Sequence, residues 1–184
     1  DLGIEFVYVT VPDPAGEADV SIAQQAVYNM IPQLIEKYGK DTVFFTTNTA
    51  QHEPILKRVI EYGAIFVTSD DVSPLVGYPA ALNLELSKEL GDWDKIVSKI
   101  EKAVVDKDMG GRMGIFPYSL TYCHSRALGR LAVDIIEGNS NSTGDLMVDL
   151  VNAYGSLTPG CEWQAGRYRE GRTGKEITNF YTLS

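Results

Sequence analysis

The stretch that most limits what this chain can fold into is Asp41 to Asp71, DTVFFTTNTAQHEPILKRVIEYGAIFVTSDD. It reads as strand, helix and strand joined almost without loops. Thr42 to Thr46 is a short β-branched and aromatic run, apolar on both faces, which predicts a core strand covered on both sides. The polar run Thr46, Thr47, Asn48 and Thr49 ends it, and Pro54 stands where a proline fits the first turn of a helix, because its missing N–H would be unpaired there anyway. Ile55, Leu56, Val59 and Ile60 share one face of that helix, and Gly63 stands where a left-handed C-terminal residue belongs. Ala64 to Val67 opens the next strand. Such a unit between parallel strands is right-handed, and ligands of open α/β sheets sit beyond the carboxyl ends of the strands. Thr47, Asn48, Ser69 and Asp70 are therefore expected at ligand depth.

The flanks repeat the pattern. Ile4 to Val11, IEFVYVTV, predicts a strand stopped by Pro12-Asp13-Pro14. Asp19 or Ser21 caps a helix whose apolar positions run from Ile22 to Ile35, with Pro32 inside it expected to kink or split the helix near Asn29. Asp70 to Pro79 reads as an ordered loop. Ala80 to Leu90 is ambiguous: Leu82, Leu84 and Leu86 alternate as in a strand, while Pro79 and the Ser-Lys-Glu run favour the helix preferred here. Asp92 caps an amphipathic helix with Trp93, Ile96, Val97, Ile100 and Val104 on one stripe. Arg112 to Phe116 predicts a brief strand ended by Pro117. Tyr118 to Glu137 predicts a helix whose inner face holds Leu120, Cys123, Ala127, Leu131, Ile135 and Ile136. Beyond it are expected a polar loop at Asn139 to Gly144, a short helix at Asp145 to Tyr154, an irregular tail to Gly174 and an edge strand at Ile177 to Leu183. Strand and helix alternate without a fixed repeat, which predicts an α/β fold: a doubly wound, mostly parallel sheet with helices on both faces. The 184 residues suit one lobe, with core units over 1–117, a crossover helix over 118–138 and an appendage over 139–184.

Composition removes some functions. Lys and Arg number 16 against 25 Asp and Glu, net charge −9, with no basic cluster, so nucleic acid is a poor partner. No apolar run approaches the length that spans a bilayer, and no signal peptide is visible, so a soluble chain is expected. The first residue is Asp1, not Met, which suggests a trimmed chain. Cys123 and Cys161 are the only cysteines, too few for a disulfide framework; they can be bonded, free or buried, with buried and inert preferred.

Chemistry-bearing motifs are sparse. Gly174-Lys175 lacks the rest of a phosphate loop, and Gly110, Gly111 and Gly114 miss the dinucleotide spacing, so no nucleotide cofactor is expected. With His52 and His124 the only histidines, a histidine metal site is not expected either. Cys123 and His124 are helix neighbours that face different ways, which rules out a nucleophile built from them. His52, Glu53 and Asn48 at the mouth of the central unit suit either ligand contact or helix capping. Asp13 and the Asp70-Asp71 pair suit either a ligand hydroxyl or amine, or a solvated turn. Tyr78, Tyr118 and Tyr122 supply flat amphipathic rings near expected loops, Tyr118 foremost.

The order of these pieces resembles the second lobe of a type I periplasmic binding protein. Segments such as EFVYVTVPDP, EKYGKDTVFFTTNTAQHEPILKRVIEYG, SPLVGYPAALNLELSKELGDWDKIVSKIEKAVV and GRMGIFPYS resemble more closely a family of bacterial surface lipoproteins catalogued as a domain of unknown function. The resemblance implies a non-enzymatic solute-binding or sensing protein outside the bacterial membrane, lipid-anchored or periplasmic, that closes two lobes on a small ligand. It also implies a first lobe on the N-terminal side and a transport or signalling partner. Strand-end geometry in that superfamily points to Asp13, Thr47, Asn48, Asp70, Tyr118 and Ser119 as ligand contacts. A lobe without its partner exposes apolar faces, so self-association is expected. The alternatives are the ligand-sensing domain of a transcriptional regulator and a hydrolase-type enzyme using His52 with Glu53 or Asp70.

Overall fold

The computed structural model describes residues 3–15, 19–69, 73–138 and 145–183. They form a mixed α/β chain, about half helical, that divides into two compact units, Asp1–Ser119 and Leu120–Ser184.

The first unit is built on the expected strand-helix-strand. Helix α1, Val20–Tyr38, is capped by Asp19, whose carboxylate accepts from the Ser21 N–H at 3.0 Å. Pro32 does not split it. The proline removes the donor that the Tyr28 carbonyl would have used one turn earlier, and Arg58 replaces it: its Nε donates to Tyr28 O at 3.0 Å while the guanidinium lies 3.5 Å over the Tyr28 ring. Strand β1, Val43–Thr46, leads through a turn of 3-10 helix at Thr49–Gln51 into α2, His52–Tyr62, with Pro54 in its first turn. Gly63 ends α2 in the left-handed conformation, φ 70°, as its position required. Strand β2, Ile65–Ser69, then pairs parallel with β1, from Val43 opposite Ile65 to Thr46 opposite Ser69.

After β2 the chain departs from expectation. The segment Ala80 to Leu90 is neither one helix nor a strand: α3, Tyr78–Leu82, starts earlier and is stopped by Asn83 at φ 57°, and a 3-10 turn at Ser87–Glu89 follows. Helix α4, Trp93–Val105, is capped by Asp92 and buries Ile96, Ile100 and Val104 as its stripe predicts. The strand expected over Arg112 to Phe116 contracts to a single parallel bridge between Met113 and Phe66. Two backbone bonds hold it, Phe66 N–H to Arg112 O at 3.0 Å and Gly114 N–H to Phe66 O at 2.7 Å.

Among the described residues the sheet stays small and is not doubly wound. The first unit has a two-stranded parallel sheet plus that bridge. Its inner face, with Phe44 and Phe66, joins the core made by α1 to α4, whereas Val43, Phe45 and Val67 on the other face are exposed. The core-strand expectation therefore holds for one face only. Ile4 to Val11 is not a strand: it makes no ladder pairing, Ile4, Phe6 and Tyr8 are exposed, and Val11 alone of that run packs on the core. Alternation of β-formers describes a segment ready to pair, but a strand exists only where a neighbour supplies the hydrogen bonds.

Arg112 ties the lower end of the sheet. Its Nε donates to Gly63 O at 2.8 Å, and a terminal nitrogen reaches Lys40 O at 2.7 Å and the Asp41 carboxylate at 2.8 Å. The guanidinium beside Asp41 holds that carboxyl below the usual range. Truncating it leaves backbone carbonyls from the starts of both strands without their donor. Arg112→Ala is expected to cost about 2 kcal/mol, read as a lower urea midpoint with an unchanged slope.

In the second unit α5, Leu120–Glu137, buries Cys123, Ala127 and Leu131, while Ile135 and Ile136 at its end are exposed and not on the inner face. Helix α6, Leu146–Leu157, is capped by Asp145. The tail read as irregular holds a strand, β3, Ala165–Arg169, antiparallel to β4, Glu176–Leu183, across a turn where Gly174 has φ 67°. The polar loop expected at Asn139 to Gly144 lies outside the described residues. No helix among the described residues is long and apolar enough to cross a membrane.

Candidate functional site

The carboxyl edge of the sheet can be located by counting. Thr46 pairs with Ser69, and Met113 lies opposite Phe66, so three further residues bring Phe116 level with both strand ends. Pro117 and Tyr118 therefore stand just past the edge at which α/β sheets take ligands. Helix α4 precedes the bridging segment in the chain and returns antiparallel to it, which puts the α4 N-terminus, Trp93 and Asp94, at the same edge.

These pieces border an open cavity of about 270 Å³ lined by Trp93, Asp94, Val97, Ser98, Pro117 and Tyr118. Val97 and Ser98 are one turn along α4 from Trp93 and Asp94, so they present to the same side. Tyr118 is buried, and its ring meets Trp93 edge to face with centroids 6.2 Å apart and planes at 75°. The two rings make a corner in which the edge of one packs on the face of the other. Asp94 is in the first turn of α4, where the helix dipole favours a negative charge. Its neighbours are engaged elsewhere: Lys95 reaches the Asp92 carboxylate at 2.6 Å.

Of the six residues expected at the site, Tyr118 alone lines this cavity, with Ser119 beside it in sequence and half-buried. Asn48 accepts from the Ala50 N–H at 2.9 Å, the capping option left open for it, and Gln24 donates to the Ala50 carbonyl at 3.1 Å. Thr47 is exposed at the end of β1. Asp13 accepts from the Ala15 N–H at 2.9 Å, a local turn bond. Asp70 lies outside the described residues. His52 is buried at the head of α2, its ring edge-on to Phe66 at 6.4 Å, and Glu53 pairs with Lys57 at 2.6 Å.

Trp93 and Asp94 were not singled out. Trp93 matches the apolar stripe of α4 and so reads as core, although the structure leaves it half-buried. The usable signal is Asp92-Trp93-Asp94 at a capped helix start that must lie on the carboxyl edge. Tyr78, another expected ring, is a structural group: buried, it donates its hydroxyl to Gly114 O, and burial pushes its phenol up.

The cysteines are in the second unit and both are free; Cys123 is buried, and burial raises its thiol. His124 does not pair with it but meets the Tyr154 hydroxyl through Nδ1, and Tyr154, pushed up to about 12 chiefly by burial, meets Trp163 at a tilt of 55° with centroids 5.1 Å apart. Among the described residues no group of three or more His, Cys, Asp or Glu is placed to hold a metal ion.

Residues 1–114 match the family model described as "Protein of unknown function (DUF3798)". The chain belongs to that family. A further family model matches residues 125–183. An "Uncharacterized protein" of Treponema pallidum (strain Nichols) is 30% identical over 113 residues, 61% of this chain and 50% of that protein. The crystal structure of a "Putative transcriptional regulator" from Clostridium difficile 630 superposes with a TM-score of 0.73 at 24% identity, over 99% of this chain and 51% of that one. This DUF3798 chain thus spans about half the length of both relatives. At that identity the second likeness concerns the fold.

Proposed function

We propose that this DUF3798 chain is a non-enzymatic binding module for a small solute, and that Trp93 and Tyr118 form its contact surface. The observation that carries this is the corner of two aromatic rings, 6.2 Å apart, lining a cavity at the carboxyl edge of a parallel sheet. Binding needs no nucleophile. The resemblance to periplasmic binding proteins supports the same reading: a receptor lobe outside the bacterial membrane that serves transport or sensing, with a second lobe completing the grip on the ligand.

A sensing role inside a transcriptional regulator is the second reading. It is favoured by the name of the Clostridium difficile protein alone.

The test is a thermal-shift and calorimetric screen of the 184-residue chain against sugars, nucleosides, amino acids and small amines. A bound solute is expected to raise the melting temperature. Trp93→Ala and Tyr118→Ala are each expected to weaken it about tenfold, the loss of roughly one aromatic contact. Affinity unaltered in both variants would remove the cavity from the account.

A further inference from the structure

We propose that the solute held at this cavity is a small organic cation, an ammonium of about six to ten heavy atoms; this rests on the solute-binding reading above. The lining carries one carboxylate, Asp94, one aliphatic hydroxyl, Ser98, and no basic group. The Asp94 carboxylate has no salt bridge or hydrogen bond among the described residues, because Lys95 is held by Asp92 at 2.6 Å. An aromatic wall beside the Asp94 carboxylate suits a positive centre, which a ring attracts from within about 6 Å of its centroid.

The competing ligand classes fit less well. An anion entering here would lie against the Asp94 carboxylate with no basic side chain in the wall. A sugar presents hydroxyls around its whole rim and needs a matching set of donors and acceptors, and this lining offers few. Volume sets the size: about 270 Å³ is the space of roughly nine waters at about 30 Å³ each. The net charge of −9 also raises the concentration of cations near the surface, which adds an ionic-strength dependence.

The experiment is titration calorimetry on the full chain with three ligands of one shape: choline, its neutral carbon isostere 3,3-dimethylbutan-1-ol, and 3,3-dimethylbutanoate. Choline is expected to bind at least tenfold more tightly than the isostere in low salt, with the anion weakest. Asp94 is exposed and unpaired in the first turn of α4, so Asp94→Asn should fold normally and cut the choline preference to about threefold or less. An isostere that binds as well as choline, or a preference intact in Asp94→Asn, overturns the cationic assignment and leaves the solute-binding reading standing. The same holds if all three fail while another solute binds and loses affinity in Trp93→Ala. If nothing in either panel binds, both readings fall.

Discussion

Gly114→Ala is expected to be the most disruptive of the glycine-to-alanine changes among the described residues. A Cβ at that position would sit 2.2 Å from the Val67 carbonyl oxygen and 3.1 Å from its carbon. Neither atom can swing aside, because both belong to the backbone of β2. The bridging segment would have to back away by about an ångström. That breaks the pair of bonds to Phe66 and displaces the carbonyl that accepts the buried Tyr78 hydroxyl. Overpacking and the lost hydrogen bonds together cost roughly 3 kcal/mol or more, a large part of the 5 to 15 kcal/mol by which a domain is stable. Urea unfolding should show the midpoint falling steeply, and ligand affinity should fall with it, since Pro117 and Tyr118 follow three and four residues later in the chain. An unchanged midpoint would mean that this close approach does not exist in solution.

Gly77→Ala is expected to follow closely, for two reasons that act together. The residue has φ 77°, which an L side chain adopts at a cost of about 1 to 2 kcal/mol. Its Cβ would also meet the His52 Cβ at 2.7 Å and the Leu56 Cδ1 at 2.9 Å, and both side chains are buried with nowhere to move. The loss should come to about 3 kcal/mol, seen as a lower melting temperature in calorimetry. Because the strain lies between α2 and α3 and away from the cavity, solute affinity below the transition should stay within about twofold of the parent. A drop in affinity without a drop in stability would contradict that separation.

What could be read from the residues alone were the features that local chemistry decides. Asp92, and Asp19 as one of two candidates, cap helices because a short carboxylate reaches the free N–H groups of the next turn, whatever lies beyond. Gly63 ends α2 for an equally local reason. The parallel pair β1 and β2 follows from a helix with almost no loop on either side of it. Tertiary context decided the rest. Pro32 was expected to kink or split α1; the helix is not split, and a long-range donor, Arg58, relieves the carbonyl that the proline abandons. Ile4 to Val11 has the composition of a strand and lacks a partner. Phe45 and Val67 have the look of core residues and face outward.

The candidate site divides in the same way. Tyr118 was legible from a strand end followed by Pro117, and the capping role of Asn48 was one of its two readings. Trp93 was hidden by its agreement with the stripe of α4: period alone cannot tell a ring that fills the core from one that walls a cavity. Asp94 was hidden by being an acid at a helix start, where most acids merely answer the dipole.

The bridge at Met113 has a dynamic consequence. A full parallel ladder would lock the segment before Tyr118 at several points, but here two amide hydrogens, those of Phe66 and Gly114, hold it to β2. Amide exchange at these positions reports directly on whether the cavity wall is seated or detached. An occupant gripping Tyr118 would slow both by the same factor, so at this edge of the molecule retention of the ligand and protection of a single rung are one measurement.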